Sequence, residues 1–180
     1  MATIRDFKYK LVKNFFSKRE LDLLQQYCLL RLDEKWSVEH NNPIASNLTP
    51  CFYNDSLMRY FHELKRGLVE KHVNLELFKS YTYWRYYIYG SELKKHTDRA
   101  SCEISVTASI QQSKAWPIQM NNEWITMNEG DAIIYMGCDI PHGREKFQHD
   151  ANAQVFFHYV DKNGNFTNHK DDQARKEMML

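Results

Sequence analysis

Cys102-Glu103-Ile104-Ser105-Val106-Thr107-Ala108-Ser109-Ile110 alternates residue by residue between apolar and polar side chains. A period of two is the mark of a strand with one face on a core. Cys102, Ile104, Val106, Ala108 and Ile110 share one face; Glu103, Ser105, Thr107 and Ser109 share the other. That second face reads either as a solvated surface or as the lining of an interior. Upstream, the run from Lys79 to Tyr89 is dense in tyrosine and other β-formers and stops at Gly90. At strand parity its aromatic rings divide between core and cavity wall. Downstream, short strand-like runs fill 116–120, 123–127, 131–136 and 153–161. Asn121-Asn122, Asn128-Glu129-Gly130 and Asn163-Gly164 supply turn signals between and after them. Several short strands in succession predict a mainly β sandwich or jelly roll.

The residues before this run read as a helical flank. Ser17 and Glu20 form a capping-box pattern, followed by an apolar stripe of Leu21, Leu24, Cys28 and Leu32, with Leu29 beside it. A second helix is expected from about Ser56 to Lys71, on Leu57, Tyr60, Phe61, Leu64 and Leu68. Asp33 to Tyr53 reads as a polar loop, with Asn41-Asn42-Pro43 inside it. Helices ahead of strands predict N-terminal helices packed on the sheet. The 180 residues fit one domain. It divides into a helical lead-in of about 1–78, a β core of about 79–165 and a charged tail, 166–180, frayed or helical.

Charge and cysteine usage narrow the function classes. Twenty-four basic residues face 23 acidic ones, which argues against nucleic-acid binding through a basic face. No run of 18 apolar residues exists, and the first fifteen lack the apolar core of a secretory signal. Cys28, Cys51, Cys102 and Cys138 contain no CxxC pair, so a zinc ribbon is not indicated. Reduced thiols and a cytoplasmic location are the expectation.

His96-Thr97-Asp98 carries the candidate chemistry. Residues i and i+2 of a strand point to one face, so an imidazole and a carboxylate would enter the same cavity. A second histidine from a later strand would complete a 2-His-1-carboxylate set, which holds Fe(II) and leaves positions open. His142, in Ile140-Pro141-His142-Gly143, is the candidate, with about four strands between it and Asp98. An H-x-D alone also reads as an exposed polar turn, and Lys94-Lys95 suits that reading. His40, His62, His72, His149 and His169 read as surface residues, and Cys102 and Cys138 as small core fillers.

Tyr87-Ile88-Tyr89-Gly90, followed by His96-Thr97-Asp98, resembles the corresponding stretch of 2-oxoglutarate/Fe(II)-dependent oxygenases of the prolyl 4-hydroxylase-like branch. Lys13-Asn14-Phe15-Phe16-Ser17, Gly130-Asp131-Ala132 and Gln154 to Asp161 fall in that family's order, so the resemblance covers about residues 8 to 165. It implies a double-stranded β-helix fold and Fe(II) held by His96, Asp98 and His142. It also implies use of O2 and 2-oxoglutarate, with succinate and CO2 formed as a substrate C–H bond is hydroxylated. A peptidyl prolyl or other amino-acid side chain is the substrate class it suggests. Asp98 favours hydroxylation, because related halogenases lack the carboxylate ligand.

The resemblance breaks at the co-substrate pocket. The branch places a Lys or Arg about ten residues after the distal histidine, where this chain has Asn152, with Gln154 beside it. A buried carboxylate needs a cationic partner. Arg85, Arg99, Arg144 and His158 are the candidates. Arg85 and Tyr87 are placed on one wall, with Arg144 or His158 as the carboxylate partner. Two other readings stay open: a non-catalytic jelly-roll binding module, and an iron dioxygenase that does not use 2-oxoglutarate. A nucleic-acid demethylase is a further one, against which the neutral charge counts. Substrate choice is expected from loops at 33–55 and 111–116.

Overall fold

Alternating patterns with aromatic and β-branched residues build two antiparallel sheets in the computed structural model, which describes residues 7–34, 37–38, 45 and 49–172. In chain order the elements are β1 Tyr9–Val12, α1 Lys18–Leu32, β2 Ser37–Val38, β3 Pro50–Tyr53, α2 Ser56–Val73 and β4 Leu77–Ile88. Then come β5 Leu93–His96, β6 Ile104–Gln112, β7 Ile118–Met120, β8 Glu123–Ile125, β9 Ala132–Met136, β10 His142–Arg144 and β11 Ala151–Asp161. The larger sheet runs β1-β9-β6-β11-β4-β3-β2, and the smaller β5-β10-β7-β8.

The lead-in is not purely helical. β1 pairs with β9, Tyr9 opposite Tyr135, and β3 pairs with β4, Cys51 opposite Arg85. The expected loop over Asp33 to Tyr53 therefore contains strand at both ends of its described part. Four-residue strands carry too little alternation to announce themselves. They form here because a neighbouring strand offers its edge, β9 to β1 and the twelve-residue β4 to β3.

The two faces of the larger sheet differ. One carries Trp84, Ile104, Val106, Ala108, Val155 and Phe157 into a core that α1 closes with Leu21, Leu24 and Cys28. α2 closes the same core with Met58, Phe61, Val69 and Val73. The other face carries Arg85, Gln154 and Ser109 in register across β4, β11 and β6, with Phe156 opposite Tyr83 and Thr107 in the next row. Ser105, Thr107 and Ser109 are wholly buried, so this polar face lines an interior and is not solvated. Ile118 and Met120 of the smaller sheet join the same core.

Local signals fix the helix ends. Ser17 and Glu20 make the reciprocal capping box at α1. Asp55 caps α2, and the same carboxylate accepts from Tyr27 Oη and Arg31 Nε, tying the helices together. α2 runs on to Val73 and ends at Asn74 in the left-handed region. Its buried stripe lies on Met58, Phe61, His62, Val69 and Val73, while Tyr60 and Leu64 face outward. His62 is thus a core residue, not a surface one. Its Nε2 donates to the His158 carbonyl, 3.0 Å away. His40 lies outside the described residues.

Candidate metal centre

His96 ends β5 and His142 opens β10, and the two are register partners across the smaller sheet. Four strands, β6 to β9, separate Asp98 from His142 in the chain. Asp98 lies just beyond β5 rather than in it, so strand parity does not aim its carboxylate. A backbone tie does: Asp98 N–H donates to Gly137 O at 2.8 Å. Gly137 stands so close that a Cβ there would meet Cys102 O at 2.1 Å and Asp98 Oδ2 at 2.6 Å. Nothing in the sequence marks this glycine, because its reason is a tertiary neighbour.

The ligand atoms of His96, Asp98 and His142 lie within 4.8 Å of one another. His96 Nε2 is 3.5 Å and His142 Nε2 3.7 Å from Asp98 Oδ1. Each ring uses Nδ1 elsewhere: His96 bonds Lys94 O at 2.7 Å, and His142 bonds Ile140 O at 2.9 Å. A carbonyl only accepts, so Nδ1 carries the proton and the neutral ring keeps its lone pair on Nε2. Two imidazole nitrogens and a carboxylate oxygen therefore converge, the donor set a divalent cation satisfies, with the Tyr135 hydroxyl beside them, 3.4 Å from His142 Nε2. Burial pushes the Asp98 carboxyl up, but the three imidazoles of His96, His142 and His158 outweigh it and hold it below its ordinary value. For His96, burial lowers the pKa and the Asp98 hydrogen bond and charge more than restore it. Burial dominates at His142 and keeps it below the usual histidine range.

Ser105 supports the carboxylate from behind. Its Oγ donates to Asp98 Oδ2 at 3.0 Å and lies 2.9 Å from His158 Nδ1. Asp98, Cys102 and His158 also lie close enough to suggest a second metal set. The Ser105 hydroxyl already bridges Asp98 and His158, so this group is a hydrogen-bond junction. Burial holds His158 down to about 4 and raises the Cys102 thiol, which sits 3.2 Å from Tyr81 Oη. All four cysteines are free thiols.

A cavity of about 220 Å³ opens beside the triad. Tyr81, Tyr83, Arg85, Tyr87, Phe156 and His158 line it together with the triad. The tyrosine run thus divides as its parity predicts, with Trp84 in the core and Tyr81, Tyr83 and Tyr87 on the wall. Arg99 also lines the cavity, but Asp172 grips it through two 2.8 Å contacts. Arg144 and Gln154 are buried and are not among the lining residues. Arg144 stacks on Trp116, with its guanidinium 5.0 Å from the ring centroid. It donates to Trp116 O and to Gln154 Oε1, the latter at 3.5 Å. It meets no carboxylate among the described residues, and burial brings its pKa down to about 10. Asn152 accepts from Gln154 Nε2 through Oδ1, and its own Nδ2 is buried without a partner.

No protein-family model matches the sequence, and no curated protein sequence matches it. Solved structures do match. A Pseudomonas putida prolyl-4-hydroxylase aligns with a TM-score of 0.67 at 11% identity, over 86% of this chain and 94% of that one. The viral collagen prolyl hydroxylase of Paramecium Bursaria Chlorella virus-1 aligns at 0.64 and 10%, over 88% and 98%. EctD from S. alaskensis, with bound Fe, aligns at 0.68 and 12%, over 89% and 77%. The chain therefore has the general jelly-roll architecture of the 2-oxoglutarate- and Fe(II)-dependent oxygenases.

Proposed function

We propose that this protein is an Fe(II)- and 2-oxoglutarate-dependent oxygenase that hydroxylates a C–H bond. The observation that carries the reading is the convergence of His96 Nε2, His142 Nε2 and Asp98 Oδ1 at one cavity wall, each side chain held by a second hydrogen bond. His96, Asp98 and His142 would hold the metal. When bound, Fe(II) supplies oxygen activation coupled to decarboxylation of 2-oxoglutarate to succinate and CO2. The protein's own part is positioning and charge.

Arg144, buried behind the cavity lining, is proposed to turn towards the cavity when 2-oxoglutarate binds and so to take the role of the cation missing at position 152. A buried guanidinium without a carboxylate is costly, and the far carboxylate of 2-oxoglutarate would relieve that cost. Gln154 Oε1 already orients it, and the unpartnered Asn152 Nδ2 offers a further donor nearby. Tyr87 and Arg85 form the adjoining wall, and His158 stays neutral beside it. Arg99, committed to Asp172, is not the partner. The substrate is proposed to be an amino-acid side chain, prolyl among the options. That choice follows the family resemblance of the His96-Thr97-Asp98 stretch.

Anaerobic titration with Fe(II) and then 2-oxoglutarate tests this, read by visible absorption. A weak charge-transfer band is expected in the wild type and is absent in His96→Ala. Arg144→Met should bind Fe(II) normally and lose affinity for 2-oxoglutarate by roughly tenfold or more, the worth of a charge-assisted hydrogen bond. Iron binding without a band would favour an iron-only dioxygenase. No iron binding would leave a jelly-roll binding module.

A further inference from the structure

Arg99 directly follows a triad member, in a stretch without regular secondary structure, and its partner lies 73 positions away. Asp172 is wholly buried and takes both arms of the guanidinium, Nη1 on Oδ1 and Nη2 on Oδ2, at 2.8 Å each. The same carboxylate accepts from Tyr53 Oη at 2.7 Å. Its segment, Thr167–Asp172, is tied to the sheet again at His169, whose carbonyl accepts from Ser80 Oγ at 3.2 Å. His169 Nδ1 lies 3.5 Å from Ser101 Oγ, which also accepts from Arg99 Nη1 at 2.8 Å. The guanidinium lies 4.8 Å from the centroid of the Tyr81 ring, on the cavity wall.

The backbone at Asp171 and Asp172 adopts φ of 55° and 49°. Asp tolerates the left-handed region better than most non-glycine residues, and two such residues in succession are held here by the ties of this segment. Gly137 O holds Asp98 from one side. Arg99, locked by Asp172, holds the next residue from the other.

We propose that Asp172 is a positioning residue for the triad: through Arg99 it fixes the Asp98–Ser101 turn, so the C-terminal strap sets the geometry of the metal site. The proposal rests on reading His96, Asp98 and His142 as metal ligands. A bidentate fork is the interaction that specifies an angle as well as a distance, and it adds an angle to the ties this turn already has through Gly137 O, the Cys102 N–H on Arg99 O at 2.8 Å and Ser105 Oγ.

The test compares wild type with Asp172→Asn, Asp172→Ala, Arg99→Lys and Arg99→Met. Fe(II) affinity is measured anaerobically, ligand geometry from the visible spectrum of the Co(II)-loaded protein, and folding from the melting of the metal-free protein. Asp172→Ala and Arg99→Met should weaken Fe(II) binding by roughly tenfold or more, the usual effect of losing a residue that orients a ligand. Their Co(II) bands should shift. Arg99→Lys should recover part of the affinity, since it restores the charge without the fork. Asp172→Asn keeps the shape should the alanine variant not fold, and it should lose affinity likewise. Asp172 variants that melt earlier but bind Fe(II) with wild-type affinity and an unshifted Co(II) spectrum would make this a structural tie and overturn the proposal. A wild type that binds neither metal overturns the metal reading, and this proposal with it.

Discussion

Gly137 leaves the candidate metal site no room behind the Asp98 carboxylate. Alanine there would drive its Cβ into Cys102 O, Asp98 Oδ2 and Ser105 Oγ together. Gly137→Ala should cost about 1–3 kcal/mol by overpacking and should abolish Fe(II) binding; thermal melting and equilibrium dialysis would show both. Ser105→Ala removes bulk instead of adding it. It frees Asp98 Oδ2, and Fe(II) affinity should fall roughly tenfold with little change in the fold. The triad was legible in the sequence because an H-x-D after a β-rich run, and a histidine four strands on, are local facts. Gly137 and Ser105 are not local facts. Their importance comes from neighbours on other strands; the polar parity of Ser105, Thr107 and Ser109 fits a solvated face as well as an inward one, and burial decides for the inward one. Arg99 and Arg144 looked alike as candidates, and tertiary neighbours separate them: a carboxylate 73 positions away holds Arg99, while Trp116 and Gln154 bury Arg144.

The capping box of α1 was readable because all of its partners lie within four residues. The inward face of α2 was not, because that helix carries more apolar residues than one face needs. Tyr60 and Leu64 follow helical spacing as well as Met58, Val69 and Val73 do, and the sheet decides between them: Phe61 is buried and Leu57 and Leu68 pack on the core as expected, while Tyr60 and Leu64 face outward. β5 and β10 are four and three residues long, too short for periodicity, yet they carry both histidines. Asp55 shows how the helices are joined: it caps α2 and holds Tyr27 and Arg31 of α1. Asp55→Ala should therefore cost more than an ordinary cap, about 2 kcal/mol or above, measured by chemical denaturation. His62 gives α2 a pH signature. Burial first, and the charge of His158 next, push its folded pKa down to about 3, against 6.5 for an exposed histidine. Between those values the unfolded chain takes up a proton that the native chain refuses. The contribution is intact above pH 6.5 and drains away as pH falls, at about 1.4 kcal/mol per pH unit. His62→Gln should flatten the acid limb of the stability curve by that slope.

Alternation announces a mainly β core of short strands and helical spacing announces the helices before it; the jelly-roll choice over a sandwich comes from the family resemblance, and the edge strands need the sheet itself. A metal bound only by the native arrangement of β5, β10 and the Asp98 turn should stabilise the whole domain. Fe(II) or Co(II) at 100 times its dissociation constant should add about 2.7 kcal/mol. The melting temperature should rise accordingly in the wild type and stay fixed in His96→Ala. The sheet order has one further consequence, for how the chain is made. β1 leaves the ribosome long before its partner β9, and β4, paired on one edge with the earlier β3, must wait for β11 on the other. Non-local pairing of this kind slows folding and leaves strand edges open in the meantime. The nascent polypeptide is committed to a long interval as an unpaired template, and chaperone dependence and inclusion-body formation on fast expression are its expected costs. Slowing translation or lowering the growth temperature should raise the soluble yield, whereas added iron should not, since its ligands meet only after β10 docks on β5.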